Sequence, residues 1–151
     1  MAPIPALLQD RFRFFKSLSV DEIEKMLQFC TYHEADCGTS LWEEGDENNR
    51  AVFILDGKLG IKKRTEFSNR YIIVGTYGPG SVAGEMCLLS QEPRSVAAEA
   101  LTAVRVLFIS SADFERLIET CPALGLKLLR GLFKVTSRRL SKSYERIAAI
   151  F

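Results

Sequence analysis

The chain has 151 residues, 20 basic against 19 acidic side chains, a net charge of +1 and 47% hydrophobic residues, which fits one globular domain with a sizeable core. That balance gives no electrostatic case for nucleic acid or a membrane surface as the main partner. The longest apolar runs fall far short of the ~20 residues that span a bilayer, and Met1 to Leu8 lacks a signal peptide's charged start and apolar centre, so a soluble cytoplasmic protein is expected.

Residues 3–17 carry Leu7, Leu8, Phe12, Phe14 and Phe15 among mixed charges, a short helix that lays aromatics on the domain or offers them to a partner. Ser19 followed by Glu22 is a capping box, and Val20, Ile23 and Leu27 follow at helical spacing. From Cys30 the rhythm changes to period two with frequent turns, the pattern of an antiparallel sheet of short strands. Strands are predicted at 32–35, 39–43, 51–56, 58–66, 70–77, 95–100 and 102–110. Asp56-Gly57 reads as a type I′ hairpin turn, which needs positive φ at both central positions, while Gly45-Asp46 and Gly78-Pro79-Gly80 punctuate the other strands. The sum is a mainly β fold with flanking helices, a jelly roll or double-stranded β-helix closed around an apolar interior.

The last third turns helical. Ser110 or Ser111 suits the cap of a helix from Asp113 to about Glu119, and Thr120-Cys121-Pro122 ends it. Pro122 then fits the first turn of a second, long helix reaching about Ile150. Along it Phe133, Leu140 and Ile147 recur every seven residues, with Ser137, Tyr144 and Phe151 four further on. A helix this long outruns a small barrel, so the stripe is read as a homodimer seam, with burial in the domain's own core as the alternative. Gly125 and Gly131 predict close packing or a bend near its start. Arg138, Arg139, Lys142 and Arg146 cluster on it in the manner of a solvated face. These elements divide the chain into an N-terminal helical segment, 1–29, a jelly-roll core, 30–110, and the C-terminal helices, 111–151.

The stretch that carries chemistry is Gly84 to Glu99, GEMCLLSQEPRSVAAE. Gly84 has no Cβ, so backbone N–H groups at the start of the turn Glu85 to Leu88 can approach an anion. Arg94 adds a full positive charge on a planar fork able to grip two phosphate oxygens. Glu85 would repel that phosphate, but a carboxylate is a good acceptor for a ribose hydroxyl. Phosphate and ribose together mean a nucleotide. Taken singly, the three residues have plainer readings as a turn, a helix cap and a solvated charge; their combination and spacing favour a ligand site.

Catalysis and metal binding find little support. Cys30, Cys37, Cys87 and Cys121 form no C-x-x-C pair, and one histidine, His33, cannot build a multi-histidine metal centre, so reduced structural thiols and no metal are expected. A Glu85 held ionised by Arg94 would not shuttle protons. No enzymatic activity is expected.

The same stretch resembles the phosphate-binding cassette of the cyclic nucleotide-binding domain family, of the catabolite activator and protein kinase A regulatory subunit type. Its pattern is roughly FGE-L-A-L, a short loop, then PR-[AST]-A. The resemblance implies that Glu85 holds the ribose 2′-hydroxyl and Arg94 the cyclic phosphate, within a site that takes in Gly84, Met86, Cys87 and Ser95. Ala83 stands where an aromatic is usual, and Val96 where alanine is usual. The likeness extends through LWEEGDENNRAVFILDGKLGIKK and YGPGSVAGE, from Phe29 to Phe108. It implies that Ile61 and Val74 pack against the base, their plainer role being barrel core. The final helix would close over the pocket, and matching Arg138 to Leu140 with the family's similar run brings Ser143 and Tyr144 near the purine.

The function expected from this is a cyclic nucleotide sensor, with cAMP as ligand and cGMP kept open by the Ser95 hydroxyl. Binding would shift the C-terminal helices and signal through a separate protein partner. The family's helix-turn-helix does not follow the last helix here, so direct DNA binding is not expected. Two alternatives stand beside it: a dimeric scaffold or docking module that keeps the fold without the ligand, and a DNA-binding regulator whose reading domain lies outside this chain.

Overall fold

The structure, a computed structural model, describes residues 3–47, 49–90 and 92–151, apart from the side chain of Phe14. Two runs of almost unbroken apolar residues set the architecture. They form β3 (Arg50–Asp56) and β8 (Val104–Ser110), which pair antiparallel and are buried on both faces. Val52, Ile54, Val104, Val106 and Phe108 turn into the barrel, where they meet Leu41, Trp42, Leu59, Ile61, Ala98 and Ala100. The alternate residues Ala51, Phe53, Leu55, Leu107 and Ile109 turn outward beneath the helices.

Two antiparallel four-stranded sheets make up the jelly roll. In the first, β1 (Cys30–Ala35), β8, β3 and β6 (Val82–Ala83) lie side by side in that order; in the second, β2 (Ser40–Trp42), β7 (Ala97–Ala100), β4 (Leu59–Arg64) and β5 (Tyr71–Tyr77) do the same. The two-residue β6 is too short to show alternation in sequence. It pairs with β3 through Val52 opposite Ala83 and Phe53 opposite Val82.

The expected Asp56-Gly57 hairpin is not one. β3 and β4 belong to different sheets, so this dipeptide is a corner that carries the chain from one sheet to the other. Gly57 has φ +86, while Asp56 stays in the strand and its carboxylate takes Arg11 and Arg105. A Cβ at Gly57 would run into the carbonyl of Ala103, so the corner needs glycine for space as well as for backbone angle.

Helices cover the outer face of the first sheet. The predicted N-terminal helix comes in two pieces, α1 (Ile4–Arg11) and a 3-10 turn Arg13–Ser17, because Phe12 between them is extended and drops its ring into the core. Phe12 meets Phe15 and Phe53 edge to face at 5.2 and 5.9 Å, so these aromatics are scaffold; the side chain of Phe14 lies outside the described residues. α2 (Val20–Leu27) starts with the predicted capping box: Ser19 Oγ accepts from the Glu22 N–H at 3.1 Å, and the Glu22 carboxylate accepts from the Ser19 N–H at 3.0 Å. Ser110 caps α3 (Ser111–Thr120), accepting from the Asp113 N–H at 3.0 Å.

α4 (Pro122–Ile150) follows after Cys121. Its first half is anchored by Leu124, Leu128 and Leu132, while Phe133, Leu140, Tyr144 and Ile147 are exposed. No helix among the described residues is long and apolar enough to cross a membrane.

Gly125 marks where α4 meets α3. A Cβ there would stand 2.8 Å from Ile118 Cγ1 and 3.1 Å from its Cα. Gly125→Val is therefore expected to cost about 1–3 kcal/mol through overpacking, read as a lower urea midpoint with an unchanged slope.

Candidate functional site

Arg94 is the one buried charged side chain among the described residues, with 6% of its surface exposed. Its backbone is clamped to the Gly45-Asp46 turn: the Arg94 N–H donates to the Asp46 carbonyl, and its own carbonyl accepts from the Gly45 N–H, both at 2.8 Å. That turn closes because Gly45 holds φ +85 and the Asp46 carboxylate accepts from the Glu43 N–H at 2.9 Å. A turn read in sequence as punctuation thus builds the seat of the arginine.

The guanidinium lies on the Trp42 indole, 3.9 Å from the ring centre. Trp42 is itself held by a hydrogen bond from Nε1 to the Val96 carbonyl at 3.0 Å. Arg94 Nη2 donates to the Arg50 carbonyl at 2.5 Å and Nη1, weakly, to that of Gly84 at 3.5 Å. Its Nε is buried and has no acceptor among the described residues, nor does any carboxylate among them stand within salt-bridge reach. Burial is the main cause that pushes this guanidinium below the ordinary arginine value. The chemistry of such a group is plain: it is a dehydrated cation with a donor to spare, matched by an anion.

Gly84 makes room for it. The residue has φ +69, and a Cβ there would run into Arg94 Nη1 and stand 3.1 Å from Trp42 Cη2. The missing side chain therefore serves the close approach of arginine and tryptophan.

Glu85 opens the 3-10 turn Glu85–Leu88 that follows. Its carboxylate accepts from Arg139 Nη1 at 3.0 Å and from the Thr136 hydroxyl at 3.4 Å, both on α4. Arg139 also donates to the Val82 carbonyl and lies 4.3 Å over the Tyr77 ring. Through this cluster the turn and the long helix are joined.

Between Arg94 and Glu85 lies a cavity of about 430 Å³. Trp42, Ile61, Val74, Tyr77 and Met86 give it apolar lining, Glu85, Arg94, Ser95 and Arg139 polar lining, and Gly84 also borders it. Val74 faces it through a bulge: Ile61 pairs with Gly75 and Lys62 with Ile73, which leaves Val74 as the extra residue of β5. Ser95 also offers its carbonyl to Lys63 Nζ at 2.8 Å.

Three residues singled out in sequence lie elsewhere. Cys87 is on the inner side of the turn, packed in the core under the helices, because a short helical turn alternates its faces. Ser143 and Tyr144 do not line the cavity; Ser143 Oγ donates to the Arg139 carbonyl at 3.0 Å, and Tyr144 is 62% exposed. Arg139, one turn earlier on α4, reaches the cavity instead. Arg139, Thr136, Tyr77 and Trp42 went unselected in sequence. The one available signal was the pair Arg138-Arg139, since a half-buried Glu85 needs a cationic partner.

Among the described residues no group of three or more His, Cys, Asp or Glu side chains could hold a metal ion. A family model for the cyclic nucleotide-binding domain matches residues 32–121, more than half of the chain. The chain belongs to this family. The matched span includes Gly84, Glu85, Arg94 and Ser95. A cyclic nucleotide-gated potassium channel of Mesorhizobium japonicum is 31% identical over 88 residues, 58% of this chain and 22% of the channel. A CRP-like cAMP-activated global transcriptional regulator of Mycobacterium tuberculosis is 27% identical over 111 residues, 74% of this chain and 47% of the regulator. The chain thus spans less than half the length of either. A cyclic nucleotide-binding domain from Methylobacillus flagellatus has the same fold, with a TM-score of 0.86, 24% identity and coverage of 98% of this chain and 82% of that one.

The inward placement of Cys87 is open to direct test. Burial pushes the Cys87 thiol up to about 11 and that of Cys30 up to about 12, so both stay protonated at pH 8, whereas Cys37 is exposed. Iodoacetamide at pH 8 should label Cys37 and leave Cys30 and Cys87 unlabelled until the protein is denatured, as read by peptide mass spectrometry. Labelling of Cys87 at the rate of Cys37 would mean that the turn is open on its inner side.

Proposed function

We propose that this domain is a cyclic nucleotide sensor with cAMP as its ligand, acting without chemistry of its own and signalling through a separate protein partner. The observation that carries this reading is the buried Arg94 guanidinium with an unpaired Nε at the wall of the cavity, facing a carboxylate on the same cassette. The cyclic phosphate takes Arg94 and the first N–H groups of the Glu85 turn, and the ribose 2′-hydroxyl takes Glu85. Ile61 and Val74 cover the base. The cAMP-activated regulator among the relatives supports cAMP, and the Ser95 hydroxyl keeps cGMP as the competitor.

The Glu85 carboxylate already serves Arg139 and Thr136, which is the root of the switch. A ribose hydroxyl that draws on the same carboxylate weakens the tie to α4 and favours a second seating of that helix. Ser143 and Tyr144 meet the purine in that seating. α4 also supplies the proposed dimer seam, since Phe133, Leu140 and Ile147 are all more than half exposed.

A second reading has its own observation: Glu85 is paired inside the protein and two of the Arg94 donors find carbonyls there, as a scaffold that keeps the fold without the ligand would require. The two readings separate by melting. A ligand at a hundred times its dissociation constant stabilises the fold by ~2.7 kcal/mol, whereas the scaffold melts at the same temperature with or without nucleotide.

Calorimetry should show micromolar binding of cAMP, and Arg94→Ala should weaken it by roughly 10- to 150-fold, the ~1.5–3 kcal/mol of a hydrogen bond to a charged group, without loss of folding. Absence of heat with either cyclic nucleotide at millimolar concentration, in folded protein, ends the reading. For the seam, Leu140→Glu combined with Ile147→Glu should convert a dimer to a monomer in sedimentation; a wild-type monomer at high micromolar concentration removes that part of the proposal.

A further inference from the structure

A larger cavity than the nucleotide pocket lies on the other side of α4. It measures about 680 Å³ and runs between the 3-10 turn Arg13–Ser17, the β5–β6 loop at Pro79 to Ser81 and one face of the helix. Among the described residues six that line it are basic, Arg11, Arg13, Lys127, Arg130, Lys134 and Arg138, and none is acidic. In a chain of net charge +1 this is a segregation of charge.

Lys127, Arg130, Lys134 and Arg138 recur three or four residues apart, so they form one stripe of the helix whose mutual repulsion works against it. Two of the six cations are matched: Arg11 by Asp56, and Lys127 by Glu22 at 3.0 Å. The other four, Arg13, Arg130, Lys134 and Arg138, have no carboxylate partner among the described residues.

Shape adds what charge alone does not. The four unmatched cations come from two separate elements and converge on one concavity. Gly131 is a buried residue of its helical wall, and Gly80, at φ +90, lets the opposite loop lie against the Arg11 carbonyl where a Cβ would collide.

We propose that this cleft binds a linear oligophosphate, as a second anion site distinct from the nucleotide pocket. Several closely spaced phosphates match four unpaired cations in number and sign, and arginine forks take phosphate oxygens two at a time. Among the described residues the lining has no aromatic side chain on which a base would stack, so the phosphates carry the recognition. A free phosphate chain reaches the recessed helical wall; a lipid headgroup would approach the same cations from a flat surface. Arg138 and Arg139 are neighbours on α4 that line different cavities, so this site and the nucleotide site are tested by different residues.

The experiment is calorimetry of the full chain with sodium tripolyphosphate at constant ionic strength, with sodium sulfate as control. One site per chain is expected, on the order of tenfold or more tighter than sulfate, because the fork geometry rewards linked phosphates. The variant Arg130→Gln/Lys134→Gln/Arg138→Gln, changed only at exposed positions, should lose binding on the order of tenfold or more while melting cooperatively. Arg94→Ala should bind tripolyphosphate as the wild type does.

Equal affinity for sulfate and tripolyphosphate, or no effect of the triple variant, overturns the proposal. So does loss of binding in Arg94→Ala, which would put the tripolyphosphate in the nucleotide pocket. Sedimentation with phosphatidylcholine vesicles containing a phosphorylated phosphatidylinositol separates the sources. Vesicle binding that depends on the three cations, without binding of free tripolyphosphate, overturns it in favour of a lipid headgroup.

Discussion

A guanidinium removed from water, laid on an indole and given carbonyl acceptors but no carboxylate, has to be held in place by the rest of the barrel. Four separate parts of the chain meet that need. The Gly45-Asp46 turn clamps the Arg94 backbone, Arg50 and Gly84 accept from its side chain, and Trp42 supplies the aromatic face. Gly84 leaves the space in which arginine and tryptophan meet. Ala83 packs in the same cluster as Trp42, which comes from the other sheet. The cation is thus held by carbonyls and an aromatic face, with its buried Nε left without an acceptor among the described residues.

The second organising element is α4, which does different work on each of its faces. One stripe, Leu124, Leu128 and Leu132, anchors it to the core. Arg139 and Thr136 tie it to Glu85 of the cassette, while Lys127, Arg130, Lys134 and Arg138 line the basic cleft. Beyond the core the helix carries exposed apolar residues that end at Phe151. These ties differ in kind: leucines seat the first half of the helix in the core, and further along a mostly buried ion pair joins it to Glu85.

Much of this was legible in the chain as written. The apolar runs of β3 and β8, the Ser19–Glu22 capping box and the Ser110 cap are local signals, each complete within a few residues, and the fold follows them. Gly84, Glu85 and Arg94 are separated by only ten positions and carry unlike charges beside a glycine, so their combination stands out without any knowledge of packing. What sequence left undecided was set at a distance. Asp56-Gly57 has hairpin chemistry, yet the sheet to which β4 belongs is decided by β5 and β7, its pairing partners.

The sequence by itself determined that a glycine, a carboxylate and a guanidinium would share one cassette in a β-barrel, because residue type and short spacing are enough to state that chemistry. Only the tertiary structure decided that Arg139, and not Ser143 or Tyr144, lines the cavity, since the rotational setting of α4 is fixed by where its leucines seat in the core, and a shift of one turn leaves the helical periodicity unchanged. It likewise decided that Trp42 lies under Arg94 and that a bulge turns Val74 to the cavity, because both depend on strands distant in sequence being brought edge to edge.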